Sequence, residues 1–191
     1  GRCSLPRKKR GQESGETMKV LLTAVNAKYI HSNLAVYDLR AYAEAYGTGG
    51  AQVEIGEYTI NHTIDYILEG IYKAKPDVLC FSCYIWNLEV SYETEAFIKE
   101  HPQVTGVMVG EGEETFLELC ESYAKAGIGE MAEKMNLSGI KGIMYRAGES
   151  LVKTGAREPL DLNRIPFCYG GVEDFRNRII YYESSRGCPF R

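Results

Sequence analysis

A turn of alternating glycine and glutamate separates a short apolar run from a helix pattern in residues 107–116, which read VMVGEGEETF. The apolar run is typical of a buried strand, and Gly110 and Gly112 allow either a sharp bend or the close approach of a ligand. Ligands of open α/β sheets bind beyond the carboxyl ends of the strands. The alternative is a plain strand–turn–helix joint, in which Glu111, Glu113 and Glu114 complement the dipole of the following helix.

The cysteines offer a second kind of chemistry, and they are Cys3, Cys80, Cys83, Cys120, Cys168 and Cys188. Cys80 and Cys83 have the spacing of a metal or redox pair, but they lie in the apolar run 78–86, which predicts a strand. That run is apolar nearly throughout, as in parallel strands covered by helices on both faces. Residues three apart on a strand point to opposite faces, so the pair is not expected to share a metal. We interpret Cys80, Cys83 and the helical Cys120 as small buried side chains.

Strand and helix patterns alternate four times before residue 127. The predicted strands cover residues 19–25, 53–58, 78–86 and 104–109, and the apolar helix stripes that follow them cover 35–46, 64–71, 92–100 and 116–124. Ser32 or Asn33 is expected to cap the first helix, which Gly47 ends, and Thr63 is expected to cap the second. This alternation predicts a doubly wound α/β domain, flavodoxin- or Rossmann-like, with a parallel sheet over residues 18–127.

The pattern changes after that domain. Residues 140–145 and 150–153 are separated by a short turn and predict a β-hairpin. Residues 160–171 are irregular and resemble a linker. One further strand is predicted at 178–183, and the sequence then reads SSRGCPFR.

Composition limits the classes of function. The 191 residues suit one domain with extensions, and the apolar fraction of 45% is ordinary for a globular protein. No apolar run approaches the length of a membrane span. Outside residues 1–17 the chain holds 17 basic and 24 acidic residues, which argues against nucleic acid as the main partner. Scattered cysteines without an export signal favour a reducing cytoplasmic location.

The first 17 residues look foreign to the fold, because they are polar and without periodicity. We interpret residues 1–17 as a disordered leader or as sequence upstream of a start at Met18. A localisation or nucleic-acid patch at residues 7–10 (RKKR) is the alternative.

The stretch YYESSRGCPFR resembles the beginning of the catalytic domain of radical S-adenosylmethionine (SAM) enzymes, where the first barrel strand leads into a Cys-x-x-x-Cys-x-x-Cys loop. The α/β domain with its Gly-Glu-Gly-Glu turn, the hairpin and the linker resemble the cobalamin-binding half of the same family, and NAKYIHSNLAVYDL is similar to its first loop and helix. The resemblance divides the chain into a leader (1–17), a cobalamin-binding-like domain (18–127), a connection with hairpin and linker (128–177) and the start of a C-terminally truncated radical SAM domain (178–191).

The resemblance implies an iron–sulfur ligand at Cys188. In the family, three thiolates of the loop bind a [4Fe-4S] cluster, SAM occupies the open iron, and the reduced cluster gives SAM an electron to form a 5′-deoxyadenosyl radical. Cys188 matches the first of these thiolates. The other two would follow Arg191, so this chain does not hold a complete catalytic site.

The resemblance also implies a small-molecule cofactor, cobalamin, lying over the carboxyl ends of the strands. Candidate contacts are in the loops 26–31, 82–87 and 110–113. The residues assigned to the site are Asn26, Ser82, Cys83, Tyr84, Gly110, Glu111, Gly112 and Glu113. Ser82 is a candidate donor to the nucleotide tail, with a backbone hydrogen bond inside the strand as the alternative.

The sequence departs from the family pattern in two ways. None of the histidines fits Asp-x-His-x-x-Gly, so no histidine of that motif is expected to ligate cobalt; we interpret His31 and His62 as loop or cap residues. The family pattern also has a helix and a strand between the segments corresponding to Asn87 and Leu88. Their direct connection here predicts the loss of a central strand and of one wall of the corrin site.

The leading hypothesis is therefore the cobalamin-binding portion of a radical SAM enzyme that carries out methyl transfer or another radical rearrangement on an unknown substrate. The alternative is a cofactor-free, flavodoxin-like protein-interaction module. Nucleotide or sugar-phosphate binding ranks last, because no Gly-x-Gly-x-x-Gly follows the first strand and the Gly-Glu turn places carboxylates where phosphate would sit.

Overall fold

The computed structural model describes residues 17–83, 92–126 and 137–186. Its helices and strands are β1 (Met18–Asn26), α1 (Leu34–Tyr46), β2 (Ala51–Thr59), α2 (Ile64–Ala74), β3 (Val78–Ser82), α3 (Tyr92–Glu100), β4 (Gly106–Met108), α4 (Glu113–Ala126), β5 (Ile143–Ala147) and β6 (Ser150–Lys153). Strand and helix alternate through α4, and an antiparallel hairpin follows. The predicted α/β class is confirmed.

The first sheet is parallel, with β1 between β2 and β3. One face of β1 carries Val20, Leu22 and Ala24, which pack into a core that includes Phe116 and Cys120 of α4. The crossover through α1 places β2 beside β1, and the crossover through α2 places β3 on the other side of β1. The carboxyl ends of three strands therefore meet at one edge.

The fourth predicted strand does not join this sheet. β4 is only three residues long and pairs antiparallel with β5, which in turn pairs with β6 of the predicted hairpin. Further backbone bonds, from Val109 N–H to Gly142 O (2.8 Å) and from Arg146 N–H to Thr105 O (2.9 Å), hold β4 against β5. The expectation of a fourth parallel strand in this sheet is wrong, because within the described residues β4 pairs with β5 of the hairpin alone, in the antiparallel direction.

β3 also differs from its prediction. Within the described ranges it pairs with β1 alone, and Leu79 and Phe81 are 41% and 55% exposed. The sequence predicts a strand covered on both faces, whereas the alternating exposure marks an edge strand with an open face. Cys80 is half-buried and Cys83 lies exposed beyond the strand, so the interpretation of Cys83 as a buried side chain is wrong. Cys120 is buried as expected.

The helix ends test the capping predictions. The Thr63 side chain accepts a hydrogen bond from the Tyr66 N–H at 3.3 Å, so the predicted cap of α2 is confirmed. Gly47 ends α1, but the Asn33 side chain makes no capping bond, and Ser32 Oγ donates to Ile179 O instead. None of the helices in the described parts of the chain is long and apolar enough to cross a membrane.

The strand predicted at 178–183 is reduced to one parallel bridge between His31 and Ile179. The Ile179 N–H donates to Ile30 O at 2.6 Å. Polar side chains on either side of this bridge bond to loops of the α/β domain, which favours a crossing segment over a regular ladder. We call residues 178–186 the crossing segment.

Candidate functional site at the carboxyl edge of the sheet

A half-buried carboxylate, Glu57 near the carboxyl end of β2, organises one half of this edge. Its Oε1 accepts hydrogen bonds from Asn26 Nδ2 (3.0 Å) and from the Asn33 backbone N–H (3.1 Å). Its Oε2 accepts from Tyr37 Oη (2.6 Å) and pairs with Arg178 Nη1 (2.7 Å). Burial acts to raise the pKa of Glu57, but the bonds from Arg178 and Tyr37 lower it below its ordinary value. Glu57 is therefore an ionised structural centre.

The predicted cofactor residue Asn26 belongs to this centre. Its Nδ2 donates both to Glu57 and to His31 O at 3.1 Å, and the residue is buried. With both amide hydrogens bonded inside the protein, Asn26 Nδ2 is committed to shaping the loop 26–31. His31 and His62 lie in loops, as expected, and His62 Nδ1 accepts from the Thr59 N–H at 3.2 Å.

The crossing segment covers the same half of the edge. Ser32 Oγ donates to Ile179 O at 3.0 Å, and Tyr169 Oη donates to Tyr181 O at 2.9 Å. The ring of Tyr181 stacks on His31, with the Tyr181 hydroxyl bonded to His31 Nδ1. We call this covered half, built on Glu57 and the crossing segment, the closed half.

The carboxyl end of β3 forms the other half, which we call the open half and define by Asn33, Ser82 and Cys83. Ser82 Oγ accepts a hydrogen bond from Asn33 Nδ2 at 3.2 Å. Asn33 is fully buried, yet its Oδ1 has no hydrogen-bond partner among the described residues. A buried acceptor without a donor costs free energy, so this oxygen is suited to a donor from outside the chain. The predicted residue Tyr84 lies outside the described residues.

The Gly-Glu turn (residues 110–113) makes contacts that the sequence pattern does not indicate. Gly110 has φ +87°, and a Cβ added there would meet no heavy atom within 4 Å. The turn therefore requires glycine for its backbone and leaves space beside it. Glu111 accepts from the Leu160 N–H at 2.7 Å. Glu113 is buried at the start of α4 and pairs with both terminal nitrogens of Arg186.

Gly112 is constrained differently from Gly110. A Cβ at this position would lie 3.1 Å from Leu39 Cδ2, so Gly112 allows close packing of the turn on α1. Together the two glycines position the glutamates of the turn. Open space is therefore present beside Gly110 and not beside Gly112.

A second buried carboxyl group, Asp38 of α1, lies near Glu113. Burial raises the pKa of Asp38 to about 6, while a hydrogen bond with Cys168 and the charge of Arg186 act in the other direction. Burial and the bond with Asp38 raise the pKa of the Cys168 thiol to about 12. An acidic residue on the apolar stripe of a helix is the one signal in the sequence that could indicate this group.

The described residues offer no cluster of metal ligands, and the pocket at the amino end of the sheet is small. Within these residues, no group of three or more His, Cys, Asp or Glu side chains could hold a metal ion, and Cys188 lies outside them. A small, partly open pocket of about 30 Å³ lies between α1, β2 and α4 at the opposite, amino end of the sheet, and it is far below the size of a ligand pocket.

Two curated proteins are similar to this chain. A cobalamin-dependent radical SAM methyltransferase, TokK of Streptomyces tokunonensis, is 26% identical over 188 residues, covering 80% of this chain and 26% of the relative. A 2-(S-pantetheinyl)-carbapenam-3-carboxylate methyltransferase of Streptantibioticus cattleyicolor is 27% identical over 150 residues, covering 60% of this chain and 21% of the relative. The chain thus spans about a quarter of the length of these relatives. No family model matches the chain.

Each alignment is longer than the part of this chain that it covers, because it also contains positions of the relative to which no residue of this chain is aligned. The first runs over 188 positions but takes in 80% of 191 residues, or about 153. The second runs over 150 positions but takes in 60%, or about 115. In each case about 35 positions have no counterpart here. The chain is thus similar to a cobalamin-dependent radical SAM methyltransferase and to a second methyltransferase.

Proposed function

We propose that this chain is the cobalamin-binding portion of a radical SAM enzyme that carries out methyl transfer or a related radical rearrangement. The α/β domain followed by the hairpin and the crossing segment supports this proposal, as do the two methyltransferase relatives. Because the chain spans about a quarter of those relatives, the activity of the whole protein is part of the proposal. Its substrate is left open.

The observation that carries the cobalamin assignment is the unpartnered Asn33 Oδ1 beside Ser82. A corrin carries amide side chains, whose N–H groups are donors for such a buried acceptor. Ser82, Cys83 and the open space at Gly110 would complete the contacts. Asn26, Glu111 and Glu113 are bonded within the protein, so we assign them to shaping the site and not to direct contact.

The cofactors would supply chemistry that side chains lack. When bound, cobalamin supplies a cobalt centre that can carry a methyl group, and a [4Fe-4S] cluster with SAM supplies one-electron chemistry. Cys188 would be one thiolate ligand of that cluster. The contribution that we propose for the described residues of this chain is to bind and orient cobalamin.

We further propose that this chain lacks one helix–strand unit between β3 and β4. β3 pairs with β1 and β4 pairs with β5 within the described residues, and Leu79 and Phe81 on β3 are exposed. The relatives carry about 35 positions that this chain lacks, which is enough for one helix and one strand with their loops. The predicted junction after Asn87 lies outside the described residues.

Cobalamin binding can be tested with two proteins. One is the chain itself, and the other carries, inserted after Asn87, the helix–strand unit of TokK that we propose this chain lacks. Each is incubated with hydroxocobalamin, passed through a gel-filtration column and measured by visible absorption. The inserted protein is expected to retain corrin near one equivalent, because the insertion would supply the second wall of the open half.

Matched variants identify the site in the inserted protein. Asn33→Leu is expected to weaken retention at least tenfold, because it removes the buried acceptor, whereas Asn61→Leu in the exposed loop after β2 is expected to have no effect. Failure of the folded, inserted protein to retain any corrin would contradict the cobalamin proposal. Retention unaffected by Asn33→Leu would place the corrin elsewhere.

A cofactor-free interaction module is the second candidate function. Exposed apolar side chains on α2 and β3 favour it, namely Ile64, Leu68, Leu79 and Phe81. Exposed apolar patches mark interaction sites in soluble proteins. This alternative predicts that the inserted protein binds no corrin, whereas the original chain self-associates or captures a protein partner in a manner that Phe81→Ser abolishes.

A further inference from the structure

We propose that Arg186 is a positioning residue, and that Glu111 and Glu113 of the Gly-Glu turn form its receptor. The pair fixes the end of the crossing segment against the start of α4. Cys188 follows Arg186 by two residues, so the receptor sets where the cluster-binding loop begins. This last step rests on the proposed function, whereas the receptor itself does not.

The guanidinium of Arg186 is surrounded by three carboxylates. Its Nη1 contacts Glu111 Oε2 at 3.3 Å and Glu113 Oε2 at 3.1 Å, and its Nη2 bonds to Glu113 Oε1. Its Nε donates to Glu183 Oε2 at 2.7 Å. Two parallel bonds to one carboxylate form a bidentate pair, which fixes both the distance and the orientation of the two groups. Lysine could supply the charge but not this geometry.

Burial makes this contact more than a surface ion pair. The Arg186 side chain is 17% exposed and that of Glu113 is 6% exposed. Exposed ion pairs contribute little, but breaking a buried pair leaves an uncompensated charge in the protein. Two buried carboxyl groups, Glu113 and Asp38, lie close together there, and Arg186 supplies their positive partner. The position of the segment end is therefore strongly coupled to this contact.

A second arginine anchors the other end of the crossing segment. Arg178 pairs with Glu57 at 2.7 Å and donates through Nη2 to His31 O at 2.8 Å. The segment is thus attached at its first and last residues, to the carboxyl end of β2 and to the start of α4. Two fixed ends determine the path of a short segment more closely than one. Docking of this segment therefore accounts for the two glutamates of the Gly-Glu turn.

The test uses the full chain without any cofactor. Hydrogen exchange of the backbone amides in residues 178–186 is measured for Arg186→Gln, Arg186→Lys and Glu113→Gln, and for the double variant Arg186→Gln/Glu113→Gln. Arg176→Gln is the matched control, because Arg176 lies just before the crossing segment and forms an exposed pair with Glu173. Far-UV circular dichroism establishes that each variant is folded.

Arg186→Gln is expected to increase exchange in residues 183–186 at least tenfold, and Arg186→Lys to restore part of the protection. The double variant should lose no more protection than the worse single variant, because both remove one contact. Arg176→Gln should not change exchange. If Arg186→Gln fails to fold, the Arg186→Lys variant is used instead. A loss of exchange protection of at least threefold in that variant, confined to residues 183–186, supports the proposal.

Three results would overturn the receptor. They are unchanged exchange in the folded Arg186→Gln variant, equal behaviour of Arg186→Gln and Arg186→Lys, and fully additive losses in the double variant. None of these measurements needs corrin. Failure of the inserted protein to retain corrin, together with the expected changes in exchange, would therefore count against the proposed function alone. Retention of corrin together with unchanged exchange in the Arg186→Gln variant would count against the receptor alone.

Discussion

The closed and open halves of the carboxyl edge contain similar polar residues but differ in how fully these residues are hydrogen-bonded. In the closed half, Glu57 accepts four hydrogen bonds and the crossing segment lies across the loops. In the open half, Ser82 has one partner among the described residues and Asn33 Oδ1 has none. Most polar groups in the closed half bond to one another, with Arg178 Nε as the exception among the described residues, so they stabilise the fold. Those in the open half retain bonding capacity, which is what a binding site requires.

Asn33 belongs to both halves. Its backbone N–H donates to Glu57 at 3.1 Å, while its side chain donates to Ser82 at 3.2 Å. The closed half therefore fixes the residue that presents an acceptor to the open half. The rigid half thus serves to orient the group that is available for a ligand.

Apolar packing shows the same difference. Leu21 and Leu79 are direct partners on the neighbouring strands β1 and β3, yet they are 4% and 41% exposed. The two leucines therefore show that β1 is covered at this position and that β3, the next strand, is not. Truncating each side chain in turn measures how large that change is.

The largest predicted effect is that of Leu21→Ala, which should lower the free energy of unfolding by about 3–4 kcal/mol because it opens a cavity in a packed region. Leu79→Ala should cost only about 1 kcal/mol, since much of its surface stays in water. Urea unfolding followed by circular dichroism measures both. Equal losses would show that β3 is covered in solution, and would remove the basis for an open half.

The next effect concerns the anchor of the closed half. Arg178→Ala should destabilise the protein by about 3 kcal/mol, because it leaves the carboxylate of Glu57 without its cation. Arg176→Ala is the control, since its side chain is 81% exposed, and it should change stability by less than about 0.5 kcal/mol. Thermal and urea unfolding provide the measurement. Similar effects of the two variants would argue that the Arg178–Glu57 ion pair does not stabilise the fold.

Local patterns in the sequence predict local structure well. The 3.6-residue stripes locate all four helices, and the turn around Gly148 locates the hairpin between β5 and β6. Thr63 caps α2 because its hydroxyl reaches an N–H only three residues away. Each of these features depends on neighbours within a few positions, so the sequence contains the information directly.

Pairing between distant segments cannot be predicted in the same way. β4 is expected beside the parallel strands, but it pairs antiparallel with β5, about 40 residues further on. The Gly-Glu turn stands out in the sequence, yet its partner Arg186 lies more than 70 residues away. Of the predicted site, Ser82 and Gly110 remain available to a ligand, while Asn26 and the glutamates are bonded within the protein.

A stabilising effect is predicted for Asp38→Asn. Because burial raises the pKa of Asp38 to about 6, from an ordinary value of 3.8, the folded state holds this proton more tightly than the unfolded state. Its contribution to stability is fully present below pH 3.8 and is lost as the pH rises through about 6. Replacing the acid by its neutral amide should therefore stabilise the protein at pH 8 by about 2 kcal/mol.

The pH profile separates this cause from a change in packing. The gain from Asp38→Asn should be large at pH 8 and close to zero at pH values near 4, as measured by urea unfolding across the range. Asp65→Asn, in the first turn of α2, is the control and should lose up to about 0.5 kcal/mol at pH 8. A gain of equal size at every pH would contradict the charge argument.

The smallest effect tests the backbone of the Gly-Glu turn. Gly110 has φ +87° and open space around it, so Gly110→Ala should cost about 1 kcal/mol through strain alone. Gly155 also has open space but no positive φ, and Gly155→Ala should be neutral or stabilising by about 0.5 kcal/mol. Gly110→Asn should cost less than Gly110→Ala, because asparagine tolerates the left-handed region. Urea unfolding compares the three variants. If both alanine variants were neutral, the turn would be free to adopt another backbone, and the fixed placement of Glu111 and Glu113 beside the crossing segment would have to come from Arg186 alone.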